Sequence, residues 1–243
     1  MQTIYETEYP VRVINTDMFG LCRPSSVMDF LQEAATEHAM QIGIGRDALT
    51  TQSRAIWMLV RLKYVLLRPL RSDEILQIKT WYRPPKGAFV LRDFDLFVNG
   101  EHVGYAISTW VLADMDTHSL LKAEEILGSG EALEGKAFTE KLGKIPMPKE
   151  MEAAGERRIG YSETDINGHA NNTRYADYAC DAVHFEELAG HYVKALQITY
   201  SAECLAGQTI YMLQKREGDT YYVRGVDKDS KPHFDIRMEV AEI

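Results

Sequence analysis

The sequence holds no apolar run of about 18 residues or more, so no membrane-spanning helix is expected. Its first residues, Met1-Gln2-Thr3-Ile4-Tyr5-Glu6, carry neither the basic stretch nor the apolar core of an export signal, and a cytoplasmic location is the expectation. Cysteine is scarce. Cys22, Cys180 and Cys204 are three in 243 residues, an odd and scattered set that fits reduced thiols better than a disulfide framework. No C-x-x-C pair suggests structural zinc, and no metal or other cofactor is expected. Positive charge is also short: 27 Lys and Arg against 36 Asp and Glu leave a net charge of −9, which argues against nonspecific nucleic-acid binding. The stretch Gly43-Ile44-Gly45-Arg46-Asp47-Ala48 superficially matches a dinucleotide-binding fingerprint. Such a fingerprint follows a strand and opens a helix, whereas this stretch closes a helix and reads as a C-cap and loop.

What is present is 45% hydrophobic residues in regular patterns, enough for a sizeable core. Pro24 opens a helix whose apolar face is Val27, Phe30, Leu31, Ala34, Ala35, His38, Ala39 and Ile42, closed by Gly43. His38 on that face reads as a packed histidine rather than a ligand. Strand patterns follow at 56–66, 74–82, 88–98 and 102–113, with an Asn99-Gly100 hairpin signal between the last two. The pattern gives way to charge, Gly and Pro from Lys122 to about Arg157, and then the plan repeats. A strand at 157–161, a loop, a helix from about Asn172 to Leu188 and strands at 192–202, 209–216, 221–227 and 233–240 are expected. The chain thus divides into an α+β unit at 1–122, a connector at 123–156 and a second α+β unit at 157–243. Each unit is a long helix wrapped by an antiparallel sheet.

The chemistry concentrates in Thr164-Asp165-Ile166-Asn167-Gly168-His169. Asp165, Asn167 and His169 alternate, so in extended backbone they project from one side, and Gly168 permits a tight turn between them. A copy stands 148 residues earlier (165 − 17), Thr16-Asp17-Met18-Phe19-Gly20-Leu21, with Phe19 and Leu21 where the later copy has Asn167 and His169. Glu203, at the end of a strand, is a further polar candidate. Aligning Lys63-Tyr64 with Thr199-Tyr200 sets Leu67 against it. One half therefore reads as reactive and the other as a greasy binding half. The competing reading of the motif, a set of side chains that merely cap the helix, fits Asn171 and Asn172.

The run Asp165-x-Asn167-Gly168-His169-x-Asn171-Asn172-x-x-Tyr175 before a helix resembles hotdog-fold thioesterases. Trp57-Met58-Leu59-Val60-Arg61, Thr80-Trp81-Tyr82, Arg92-Asp93-Phe94, Ser108-Thr109-Trp110-Val111 and Tyr200-Ser201-Ala202-Glu203-Cys204 narrow the resemblance to the acyl-[acyl carrier protein] thioesterases of plastids and bacteria. That resemblance implies a tandem (double) hotdog and hydrolysis of fatty acyl-[acyl carrier protein] to free acid. It implies Asp165, Asn167, His169 and Glu203 as catalytic residues and the N-terminal hotdog as the acyl-binding half, with Phe19, Leu21, Trp57 and Met58 as substrate-binding candidates. The partner is then an acyl carrier protein bearing a phosphopantetheine-linked chain, and further pairing into a homodimer stays open.

Thioester hydrolysis needs an activated water or a nucleophile, and donors for the developing oxyanion. Glu203 is the candidate base. His169 and Asn167 orient water and polarise the carbonyl, Asp165 fixes their geometry, and attack by Asp165 through an anhydride stays open. Cys204 with His169 and Asn167 suggests a thiol mechanism, disfavoured because strand alternation turns Cys204 away from the side of Glu203. The alternatives are a coenzyme A thioesterase and a noncatalytic acyl-binding sensor. Nine Lys or Arg against two acids between Arg54 and Arg92 offer a candidate docking patch, weighed evenly against a plain solvated face.

Overall fold

The computed structural model describes residues 4–128 and 137–243. The first half consists of β1 (Tyr5–Pro10), α1 (Pro24–Gln41), α2 (Arg46–Ser53), β2 (Ala55–Leu66), β3 (Ile75–Tyr82), β4 (Phe89–Val98), β5 (Glu101–Asp114), β6 (Leu120–Leu121) and α3 (Ala123–Leu127). The second consists of β7 (Glu152–Arg158), α4 (Arg174–Asp181), α5 (Phe185–Leu188), β8 (His191–Tyr200), β9 (Thr209–Glu217), β10 (Thr220–Val226) and β11 (Pro232–Glu242). Read from either edge, the sheet has one plan. The order β1-β3-β4-β5-β2 meets β8-β11-β10-β9-β7 where β2 and β8 pair antiparallel, Lys63 opposite Gln197 at the centre of the paired run. The expected tandem hotdog is therefore one continuous sheet, with β6 appended to β5.

Local chemistry accounts for the elements. Pro24 sits at the first position of α1, where its fixed φ suits the helix and its missing N–H is one that no helix bond would use. Leu31 and Ala34 are fully buried on the apolar face, and Gly43, at φ +77°, releases the chain. Asn99 and Gly100 both take positive φ, 50° and 80°, as a type I′ hairpin between β4 and β5 requires. A single hydrophobic core runs across the seam, including Leu31, Tyr64 and Phe94 from the first half and Tyr175, Ile198 and Phe234 from the second.

Alternation along β2 and β8 sends Leu62, Tyr64, Leu196 and Ile198 to that core and Lys63 and Gln197 to the opposite face. There the connector crosses. Gln197 donates to the Gly143 carbonyl at 2.9 Å, Arg83 to the Phe138 carbonyl at 2.6 Å, and Lys63 pairs with Glu140 at 3.4 Å. Phe138, 3% exposed, packs on Ile107 and Tyr105. The connector is thus a strap over the seam, although its part at 129–136 lies outside the described residues.

Three expectations change. Strand β7 begins at Glu152, inside the span expected as connector, because its main chain continues the β9 ladder from Glu152 opposite Gln214. The long second helix is two short ones. Asp181 pairs with Arg157, the buried Val183 joins the core, and Glu187 accepts from Tyr221 and Arg216, so contacts on three sides break the helical period at Ala182–His184. Finally, Gly43–Ala48 both closes α1 and opens α2 where a loop is expected; Gly45 is the N-cap of that helix, yet no strand precedes it, so the dinucleotide fingerprint still lacks its context.

Candidate active site

Thr164–Ala170 folds into a loop closed by its own main chain. The Asp165 amide donates to the His169 carbonyl at 3.0 Å and Gly168 to the Asp165 carbonyl at 3.0 Å, with Gly168 at φ +80°. Asp165 Oδ1 accepts from the Asn167 amide at 2.8 Å, and Oδ2 faces the Asn171 side-chain amide at 3.4 Å. Ala170 donates to the Cys204 carbonyl at 2.8 Å, tying the loop to the turn after β8. Asn171 then accepts from the amide and hydroxyl of Thr173, both at 3.0 Å, an Asx turn that leads into α4; the N-cap of that helix is Thr173, without a side-chain cap, so Asn171 does not cap it as expected.

That tie brings Glu203 to His169. His169 Nδ1 lies 3.2 Å from the Ala170 carbonyl, which makes Nδ1 the donor, and Nε2 faces Glu203 Oε1 at 3.6 Å. Both side chains, with Asp165 and the exposed Asn167, border a cavity of about 950 Å³. The cavity continues between the halves to Trp57, Met58, Tyr82, Val90, Arg92 and Trp110 on strands of the first half. Trp57 also donates its indole N–H to the Ile44 carbonyl at 2.9 Å and packs edge-on against Trp110.

Phe19 and Leu21, expected to bind substrate, are not in that wall. Leu21 is 2% exposed and its main chain bridges to Arg71. They occupy the first half's own copy of the loop, which the pseudo-twofold symmetry of the sheet sends to the other end of the seam. The strand alignment also moves. Cys22 donates to the Leu70 carbonyl as Ala170 does to Cys204, and Lys63 faces Gln197 across the seam, so the residue matching Glu203 is Pro69, two positions beyond Leu67. An even shift keeps the face, and the position is still without chemistry.

Cys204 is fully buried, burial pushes its thiol up to about 11, and it does not border the cavity. Its sulfur lies 3.7 Å from Nδ1 of His233 rather than near His169. A thiolate nucleophile has no access here. Under the turn, His233 Nδ1 donates to the Glu203 carbonyl at 2.8 Å, a contact the sequence reading missed. The signal existed: the pairing that matches Pro69 to Glu203 also matches Val103 to His233, another apolar-for-polar exchange between the halves.

The basic run 54–92 is largely neutralised. Arg54, Lys63, Arg68, Lys79 and Arg83 each pair with an acid, and Arg92 is buried, donating to His38 Nδ1 at 2.9 Å and to Thr80 at 3.2 Å. Burial, then the charge of Arg92, lowers His38 to about 4, so the packed histidine is neutral.

Residues 2–127 match the acyl-ACP thioesterase N-terminal domain model and residues 148–241 the C-terminal domain model. The oleoyl-acyl carrier protein thioesterase of Coriandrum sativum is 23% identical over 88% of this chain and 63% of its own length. The dodecanoyl-[acyl-carrier-protein] hydrolase of Cinnamomum camphora is 25% identical over 79% of this chain and 54% of its own length. The chain thus spans less than two thirds of these curated relatives. An acyl-ACP thioesterase from Bacteroides thetaiotaomicron superposes with a TM-score of 0.86 at 20% identity, covering 98% of each chain. The 12:0-ACP thioesterase of Umbellularia californica does so at 0.84 and 18%, covering 99% of this chain and 98% of the other. At these identities the superpositions speak for the fold. With one family model on each half of a doubled helix-and-sheet plan, the chain belongs to the acyl-ACP thioesterase family.

Proposed function

We propose that the chain hydrolyses fatty acyl-[acyl carrier protein] to free fatty acid and carrier protein, the second half reacting and the first holding the acyl chain. The observation that carries this reading is Glu203 beside His169 Nε2, at 3.6 Å, on the wall of a cavity that runs into the apolar wall of the first half. With its Nδ1 proton committed to Ala170, a neutral His169 offers Nε2 as an acceptor, and Glu203 offers Oε1. A water bridging them donates a hydrogen bond to each, and its free lone pair meets the carbonyl carbon of a thioester lying in the cavity. As the C–O bond forms, Glu203 takes a proton from that water. The Asn167 side chain, which borders the same cavity, supplies the amide donor assigned to the developing oxyanion. Collapse breaks the C–S bond, and the thiolate leaves with the proton returned from Glu203.

Asp165 builds the loop in this scheme. Its Oδ1 is occupied by the Asn167 amide and its Oδ2 by Asn171, which disfavours the anhydride route. Trp57 and Met58 border the acyl-binding part of the cavity, and Arg46, exposed beside it, is a positive group available to the phosphopantetheine phosphate. Among the described residues no helix is long and apolar enough to cross a membrane, and a cytoplasmic site of action is part of the proposal.

Free-acid release from acyl chains of graded length, on carrier protein and on coenzyme A, tests the reading. Turnover of carrier-bound chains supports it. Preference for the coenzyme ester makes the protein a coenzyme A thioesterase, and binding without release makes it an acyl-binding module.

A further inference from the structure

The Ser201–Glu203 part of the turn is held by one residue of β11. His233, at the start of β11, accepts through its main-chain carbonyl from the amides of Ser201 at 2.8 Å and Ala202 at 3.0 Å. Its side chain then takes the next link, Nδ1 donating to the Glu203 carbonyl at 2.8 Å. The ring is 5% exposed and does not border the cavity. On its far side Nε2 lies 3.2 Å from the Gln208 amide nitrogen and 3.6 Å from Asp227 Oδ2. Asp227 is itself fixed, its Oδ1 accepting from the amides of Asp229 and Lys231, both at 2.9 Å.

The first half supplies the control. There Leu67 donates to the Val103 carbonyl at 2.8 Å, as Ser201 does to His233, so the main-chain link is common to both halves. Val103 has no side-chain donor, and the residue in the place of Glu203 is Pro69. The imidazole occurs only under the turn that bears a carboxylate, so the β-ladder does not need it.

We propose that His233 is a positioning residue for the hydrolysis, setting the height and direction of Glu203 against His169 through the Glu203 carbonyl. This rests on the reading of Glu203 as the base. The device is indifferent to the charge of the imidazole. A neutral ring donates from Nδ1 and accepts from Gln208 at Nε2; a protonated ring keeps the Nδ1 donor and turns its Nε2–H to Asp227. A catalytic acid or base at this position would instead impose its own titration on the rate.

The test is a steady-state comparison of the parent with H233A, H233N and H233Q on the best carrier-bound thioester, with melting temperatures and crystal structures of each. The Asn amide stands near imidazole Nδ1, so H233N keeps the donor, whereas Gln reaches toward Nε2. H233A is expected to lose about 10²-fold in kcat, the scale of a carboxylate misplaced by about 1 Å, with KM little changed. H233N restores most of that loss, H233Q does not, and the pH profile of H233N keeps the parent's shape. An H233A enzyme with parental kcat overturns the proposal, as does an H233N enzyme no better than H233A at equal melting temperature. If the parent releases no acid from any thioester, the functional reading fails on its own. The crystal structures then decide the clamp: a Glu203 carbonyl unmoved in H233A sinks it, and one displaced in H233A but restored in H233N upholds it.

Discussion

Residues 16–22 and 164–170 share three closing hydrogen bonds, to which the first adds the Leu21 amide on Asp17 Oδ1 at 3.0 Å. Asp17 donates to Leu21 as Asp165 does to His169, Gly20 to Asp17 as Gly168 to Asp165, and the Phe19 amide to Asp17 Oδ1 as the Asn167 amide to Asp165 Oδ1. Both loops turn on a glycine, at φ +75° and +80°. What separates them is carried on side chains: Phe19 against Asn167, Leu21 against His169, Pro69 against Glu203 and Val103 against His233. The Thr-Asp-x-x-Gly signature is therefore a fold instruction. On the proposed function the chemistry is an overlay, written on one of two like scaffolds.

The largest effect should come from erasing that overlay. Glu203→Ala and His169→Ala are each expected to lower kcat by about 10²–10⁴-fold, the usual scale of general acid–base assistance. Their melting temperatures should stay close to the parent's, because neither side chain is in the core. The reverse edit, Phe19→Asn with Leu21→His, should add no activity and should destabilise by about 1–3 kcal/mol in urea titrations, since Leu21 is 2% exposed and an imidazole there gains no partner. Activity at the first loop would break the comparison outright.

A second difference lies in the helices. The first half buries His38 completely beside Arg92, whereas at the 148-residue offset the second half has Glu186, in the short α5. Burial and then the Arg92 charge lower His38 from 6.5 to about 4. Between those values the unfolded chain binds a proton that the folded chain refuses, so stability is complete above about pH 6.5 and falls as the pH drops toward 4. The loss from this group is about 2–3 kcal/mol, allowing for relaxation around the ring. His38→Asn offers Arg92 an acceptor without a titration, so its urea midpoint should fall less than the parent's between pH 7 and pH 4.5. Parallel falls would place the acid sensitivity elsewhere.

Much of this was legible in advance because each signal was local. The helix at Pro24, the Asn99-Gly100 hairpin and the strand periods depend on neighbours within a few positions, and the repeat at 148 residues compares two such local patterns. The second helix was not legible, because Glu187 answers to Tyr221 and Arg216 from β10 and β9, which no period within 172–188 encodes. At the site, the loop residues and Glu203 stood out as polar exchanges. His233 did not, because its partner is a carbonyl and its strand position looked ordinary. Phe19 and Leu21 were misplaced for a related reason: a repeat shows that two loops are alike and says nothing of which end of the seam each faces.

Asp17 and Asp165 give the smallest and most discriminating edit. Each holds the amide two residues on, at 2.9 and 2.8 Å, and Asp17 also holds the Leu21 amide at 3.0 Å, so replacement by Ala should cost about 1–2 kcal/mol in urea titrations, more for Asp17 than for Asp165. Replacement by Asn keeps an acceptor at Oδ1 and should cost less in both halves. The halves then part in kinetics: Asp17→Asn leaves kcat at the parental value, while Asp165→Asn sets a second amide against Asn171 and is expected to lower kcat by about tenfold or less. A loss as deep as that of Glu203→Ala would mean that the Asp165 carboxylate itself attacks. Asp17, which survives where nothing reacts, would then no longer explain why its twin is there.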